Sequence, residues 1–264
     1  MIKLIASDMD GTLLDENSKV PEETFELIHE LHERGIVFAA SSGRRYNTLR
    51  WFFEPVMDEM DYVASLGTEV YAQGRMIGRE VFSYGAIVSL FELCATFDCL
   101  HLAIYDDDHC YLMDDLTNYV KTADKDLPNP VVRADPPGPE KSVIKMGICC
   151  DKPAETMDMT YMLERELGDR LTFMPSGDKW IDITPAGVDK ATGIWQLMRY
   201  YGIAADEVMA FGDSMNDYAI LRFAGHPRVM ANARYTLRKR WPVVGSNVDH
   251  AVQRAMQDVL DGIE

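Results

Sequence analysis

Asp8 and Asp10 stand two residues apart in the run Ser7-Asp8-Met9-Asp10-Gly11-Thr12, directly after the apolar residues 2–7. At the end of a strand, side chains two apart share a face, and a glycine such as Gly11 lets the chain turn away sharply. Two carboxylates held this close repel each other unless one is protonated or a cation lies between them. That constraint suits a carboxylate nucleophile with a general acid beside it, both next to a metal ion. The chain carries 43 acidic residues, so an Asp-x-Asp pair also arises by chance and needs company to carry weight.

Three other groups supply it. Ser41-Ser42-Gly43-Arg44 follows the apolar residues 36–40. A hydroxyl on Ser42 and successive backbone N–H groups, that of Gly43 included, would hold phosphate oxygens at the start of the next helix. Taken alone, the same residues also read as an ordinary helix N-cap. Lys190 follows Asp189 at a helix start, where a cation faces the positive end of the helix dipole. A phosphate or a carboxylate cluster nearby would offset that cost; a solvated lysine is the plain alternative. Gly212-Asp213-Ser214-Met215-Asn216-Asp217 follows the apolar residues 208–211. Asp213 is a hard oxygen donor suited to Mg²⁺, which takes a few carboxylates and keeps several waters. Asn216 and Asp217 lie one helical turn on, able to orient a phosphate and Lys190. The plain alternative is a helix with an acidic first turn.

The elements that must position these groups follow from the hydrophobic pattern. Residues 2–7, 36–40 and 62–66 read as buried strands separated by helices. In the first helix, residues 21–34, Phe25, Ile28 and Leu31 share a face and Gly35 stops it. A hairpin over 69–81 turns near Gln73-Gly74. Between about 82 and 185 the pattern changes to hairpins mixed with two helices, including a Pro-rich loop over 128–139. After residue 185 the alternation returns, with a helix over 190–201, a strand over 207–211 and a closing helix over 248–260. The expected fold is α/β: a Rossmann-like parallel-sheet core from residues 1–82 and 186–264, interrupted by an α+β cap domain over 83–185 that selects the substrate. In such a sheet the carboxyl edge of the strands is where ligands bind, and all four groups fall there.

A formal charge of −17 argues against a nucleic-acid surface, and the short run Arg238-Lys239-Arg240 reads as a solvated helix end. A protein this acidic that handles an anionic substrate needs local positive charge, and a bound divalent cation provides it. No apolar stretch is long enough for a signal segment or a membrane span. Five cysteines, all between Cys94 and Cys150, imply reduced thiols and a cytoplasmic setting. Cys94, Cys99, His101, His109 and Cys110 lack zinc-ligand spacing, so packing in the cap is the expected role.

The stretches DMDGTLLD at Asp8, SSGR at Ser42, GVDKATGI at Lys190 and FGDSMNDYAIL at Asp213 resemble, in order and spacing along the whole chain, the haloacid dehalogenase superfamily. Specifically they resemble its Cof-type phosphatases, which carry an α/β cap between the second and third motifs. The resemblance implies that Asp8 forms an aspartyl-phosphate, and that Asp10 protonates the leaving alcohol and later activates water. It implies Mg²⁺ held by Asp8, the Asp10 main-chain carbonyl and Asp213. Ser42, Gly43, Lys190 and Asn216 would bind the phosphoryl group, with Asp217 in support. Small phosphate esters, sugar phosphates foremost, are the implied substrates. Two positions depart from the family pattern: Leu66-Gly67 stands where relatives often carry Asn-Gly, and His250 where they commonly have Gly. Two rivals remain at this point. A phosphomutase would share the aspartyl-phosphate and Mg²⁺ but release little phosphate. A non-catalytic phospho-ligand-binding regulator would have no need of an acid at position 10.

Overall fold

Leu4, Ile5, Ala6 and Ser7 are all buried, as a strand covered on both faces of a parallel sheet requires. In the computed structural model, which describes residues 1–114 and 129–263, they form β1 (Leu4–Ser7). The chain continues through α1 (Glu22–Glu33), β2 (Val37–Ser41), α2 (Tyr46–Phe52), β3 (Asp61–Ala64), β4 (Glu69–Ala72) and β5 (Arg75–Arg79). A second unit spans residues 80–188. It contains α3 (Tyr84–Cys94), β6 (Leu100–Tyr105), β7 (Cys110–Leu112), β8 (Pro130–Val132), β9 (Lys145–Cys150), α4 (Thr156–Leu167), β10 (Leu171–Ser176) and β11 (Trp180–Pro185). The first unit, residues 1–79 and 189–264, resumes with α5 (Lys190–Tyr201), β12 (Val208–Gly212), α6 (Tyr218–Phe223) and β13 (His226–Met230). It closes with α7 (Tyr235–Arg238), β14 (Val243–Gly245) and α8 (Ala251–Leu260).

Among the described residues the first unit holds an eight-stranded sheet ordered β14-β13-β12-β1-β2-β3-β4-β5. The strands from β14 to β3 run parallel, and β4 and β5 add an antiparallel edge. β1 lies between β2 and β12, with Ser7 level with Ala40 on one side and Phe211 on the other. Around it Leu4, Ile5, Phe38, Met209, Ile194 and Val252 join one apolar core. The second unit has its own sheet, β10-β11-β9-β6-β7-β8, and its own core built on Leu90, Leu102, Ile148, Leu163 and Ile181.

Three local differences from the sequence expectations have physical causes. Phe82 belongs to the second unit: its N–H donates to the Val143 carbonyl at 3.0 Å and its ring joins that unit's core. The strand expected over 62–66 stops at Ala64, because Ser65, Leu66 and Gly67 all take positive φ, at 49°, 60° and 99°. In the Pro-rich stretch, Pro128 lies outside the described residues, but Pro130–Val132 is a strand, parallel to β7. It sits at the sheet edge, where a missing N–H costs no ladder bond. No helix among the described residues is long and apolar enough to cross a membrane.

Candidate active site

β1, β2 and β12 end level with one another, so the residues that follow them leave the sheet at one edge. Asp8 follows β1, Ser42 follows β2 and Asp213 follows β12. Asp8 is 7 % exposed, and its N–H donates to the Phe211 carbonyl at 3.2 Å. The fourth group arrives on α5. Its N-cap Asp189 accepts from the Thr192 N–H at 2.8 Å, and the Asp189 N–H donates back to Thr192 Oγ1 at 3.0 Å. This reciprocal cap fixes where the helix starts and therefore where Lys190 points.

The Lys190 side chain is fully buried. Its Nζ donates to Asp8 Oδ1 at 2.6 Å, Asp217 Oδ1 at 2.7 Å and Asn216 Oδ1 at 3.3 Å. Asp217 Oδ2 accepts from the N–H groups of Asp213 at 3.0 Å and Ser214 at 3.1 Å. Asn216 Oδ1 also accepts from Ser214 Oγ at 2.7 Å. The lysine at the unfavourable end of a helix dipole is thus matched by carboxylates, which is the offset its position requires. Burial alone would lower the Lys190 pKa, but Asp217 and then Asp8 outweigh it, and the ammonium is held above its usual value.

Carboxylate oxygens of Asp8, Asp213 and Asp217 lie within 4.8 Å of one another. Burial pushes the Asp8 carboxyl up to about 8; Lys190 opposes this, while Asp217 and Asp213 add to it. Burial, then Asp217, push Asp213 up to about 6 against the pull of Lys190. Three carboxylates against one ammonium leave an excess of two negative charges when all are ionised. A divalent cation matches that excess, and oxygen donors suit a hard one. Asp217 is already committed to Lys190 and two N–H groups. Asp8 Oδ2 and the Asp213 carboxylate carry no hydrogen bond to another residue among the described residues, so these two fit a cation best. Gly11 makes room for them: at φ +79°, a Cβ there would stand 2.6 Å from Asp213 Oδ2. Asn232 Nδ2 donates to the Gly11 carbonyl at 2.7 Å, and the Arg234 N–H donates to the Asp213 carbonyl at 3.0 Å. Neither residue stands out in the sequence, because each acts on backbone groups.

The turn after β3 ties the remaining pieces together. The Leu66 N–H donates to the Ser42 carbonyl at 3.0 Å and the Ser65 N–H to the Arg44 carbonyl at 2.8 Å. A Cβ on Gly67 would stand 2.1 Å from the Asp189 carbonyl oxygen, so the cap of α5 rests on this turn. Ser42 is 2 % exposed, with Gly43 beside it, and Ser42 Oγ accepts from the Arg44 N–H at 3.2 Å.

Asp10 stands apart from the buried carboxylates. Its side chain is 56 % exposed and is gripped by Arg44, Nε to Oδ2 at 2.9 Å and Nη2 to Oδ1 at 2.7 Å. The tight carboxylate group contains Asp217, expected only as a supporting residue, rather than the Asp10 side chain. Arg44 itself lies in the quoted SSGR stretch, but its partner is 34 residues away in sequence.

The chain is similar to known proteins over nearly its whole length. A family profile described as haloacid dehalogenase-like hydrolase matches residues 5–256. The 5-amino-6-(5-phospho-D-ribitylamino)uracil phosphatase of Escherichia coli K12 is 29% identical over 234 residues, covering 88% of this chain and 86% of its own. The HMP-PP phosphatase of Cronobacter sakazakii is 28% identical over 275 residues, covering 99% of this chain and 97% of its own. Among solved structures, a Streptococcus mutans UA159 protein superposes with a TM-score of 0.91 at 24% identity, covering 99% of this chain and 100% of that one. A HAD/COF-like hydrolase of Plasmodium vivax gives a TM-score of 0.85 at 25% identity, covering 98% and 96%.

Proposed function

This chain belongs to the haloacid dehalogenase-like hydrolases and is a phosphoric monoester hydrolase, and from that premise we propose that it dephosphorylates small phosphorylated metabolites, sugar phosphates foremost, through a phosphoaspartate on Asp8. The observation that carries the proposal is the buried contact of Lys190 Nζ with Asp8 Oδ1 at 2.6 Å, beside Asp213 and Asp217. A carboxylate nucleophile attacks a phosphate ester only where the negative charge of both partners is offset, and phosphoryl transfer is mostly alignment and charge neutralisation.

In this reading Asp8, Asp213 and the Asp10 main-chain carbonyl would hold Mg²⁺, which would supply charge neutralisation for the transferring phosphoryl group. An Asp8 carboxylate oxygen attacks phosphorus, and the bond to the leaving alcohol breaks. Lys190 draws charge from the phosphoryl oxygens while Asp217 and Asn216 fix its ammonium. Ser42 and the Gly43 N–H receive the remaining phosphoryl oxygens. Asp10 donates a proton to the leaving oxygen, then takes one from the water that frees phosphate and restores Asp8. The phosphorylated polyol in the name of one relative's substrate supports the sugar-phosphate class. The residues of the second unit, 80–188, would select among such esters. Five buried cysteines without disulfides support a cytoplasmic home.

Phosphate release from a panel of sugar phosphates, nucleotides and cofactor phosphates with Mg²⁺ tests this. Turnover fastest on a sugar phosphate is the expected outcome. Interconversion of phosphate positions without release would indicate a mutase, and tight binding without either would indicate a regulator.

A further inference from the structure

We propose that Arg44 is a positioning residue for Asp10, holding its carboxylate in the orientation needed to take a proton from the water that releases phosphate. The proposal rests on the phosphatase reading above and adds a residue to its second half-reaction.

Asp10 is more than half exposed, so packing does not set its side chain. The Arg44 guanidinium does, because two N–H groups reach the two carboxylate oxygens, at 2.9 and 2.7 Å. Such a fork fixes both the position and the plane of the carboxylate. Arg44 is itself held from three directions. Its N–H donates to Ser42 Oγ, its carbonyl accepts from the Ser65 N–H, and its guanidinium lies 5.0 Å from the ring centre of Phe52. The phosphate-side loop, the turn after β3 and α2 therefore all fix where Asp10 points.

Arginine offers donors only, so the fork holds both Asp10 oxygens as acceptors in one fixed plane. A general base needs its acceptor oxygens held in such a fixed orientation. In the step concerned, a water oxygen attacks phosphorus on Asp8 and the Asp8 Oδ–P bond breaks. The electron pair returns to the Asp8 carboxylate, and a water proton passes to Asp10. Inorganic phosphate leaves, and Asp10 later returns the proton to solvent or to the next leaving group. Outside the fork, about two lone-pair directions on these oxygens stay open to receive that proton.

Pre-steady-state kinetics with p-nitrophenyl phosphate and Mg²⁺ separate the two half-reactions, since this leaving group departs without an acid. In Arg44→Ala the burst of nitrophenol should keep the wild-type rate, while the following steady rate falls about ten- to a hundredfold and acid-quenched phosphoenzyme accumulates. Arg44→Lys keeps the charge but cannot bridge both oxygens, so it should show the same slow phase. Adding Arg44→Ala to Asp10→Asn should slow turnover no further. Arg44→Gln serves in place of the alanine variant if that one does not fold. A rise in KM without phosphoenzyme accumulation, a wild-type steady rate in the variants, or losses that multiply in the double variant would overturn the role of Arg44 alone. Absence of nitrophenol release by the wild-type protein would instead overturn the phosphatase reading.

Discussion

Lys190 shows how one side chain links stability to chemistry. Its side chain is fully buried, with carboxylates at 2.6 and 2.7 Å. Removing one partner of a buried charged group leaves the others uncompensated, at a cost of about 3–5 kcal/mol. Lys190→Met should therefore destabilise the metal-free protein by about that amount in urea unfolding and should abolish turnover. A loss below about 1 kcal/mol, the range of exposed ion pairs, would contradict the buried network. Asp8→Asn acts in the other direction. Burial and two neighbouring carboxylates disfavour the Asp8 charge, so the neutral amide should leave Tm unchanged or raise it at neutral pH while turnover is lost. Ordinary turnover in that variant would remove Asp8 from the nucleophile's role.

At the scale of elements, α5 has to lie close to β3 for Lys190 to reach Asp8. Gly193 permits it: a Cβ there would stand 2.4 Å from Val63 Cγ1 and 3.3 Å from Gly67 Cα. Gly193→Ala should cost about 1–3 kcal/mol by overpacking, and should lower kcat because α5 carries Lys190 away from Asp8. Unfolding curves and steady-state rates check both effects, and unchanged kcat with lowered stability would break the link between helix position and chemistry. The long periodic elements were legible in the sequence, since apolar runs and helical spacing are set locally. The places of Asp8, Ser42 and Asp213 after strands and of Lys190 at a helix start were legible as well. The Asp10–Arg44 grip was not, since nothing local couples residues 34 apart. Nor was the turn after β3, where Leu66 adopts φ 60° against its intrinsic preference. Yet both departures noted in the sequence, Leu66 and His250, occupy positive φ, His250 at 53°. Glycine or asparagine would take such a φ at less cost, so each departure has a backbone consequence. His250 also reaches Glu23 Oε1 at 2.7 Å through Nδ1, a contact glycine cannot make.

For the whole molecule, the buried carboxylates tie folding to pH, and the proposed cation would tie it to metal as well. Asp8 and Asp213 rise from 3.8 to about 8 and about 6 in the folded chain, so between these values the folded state holds protons that the unfolded state releases. Their contribution to stability is full below about pH 4 and is lost as pH climbs through 6 and then 8. Protons compete with a cation for the same oxygens, so Mg²⁺ should raise Tm more at about pH 8 than at about pH 5.5. Calorimetry with and without Mg²⁺ at the two pH values checks this, and an equal gain would place the cation elsewhere. Hydrogen bonds hold the carboxyls of Asp15, Glu207 and Asp249 low, so their contribution is present at neutral pH and is lost only as pH falls into the acid range. The role of Asp8 is tested most directly by locating the transferred phosphoryl group. The protein is mixed briefly with p-nitrophenyl phosphate and Mg²⁺, quenched in acid, digested and mapped by mass spectrometry. The phosphoryl group should sit on Asp8 and be absent from Asp8→Asn. Wild-type turnover with the group on another residue, or with none trapped at any quench time, would contradict a phosphoaspartate at Asp8.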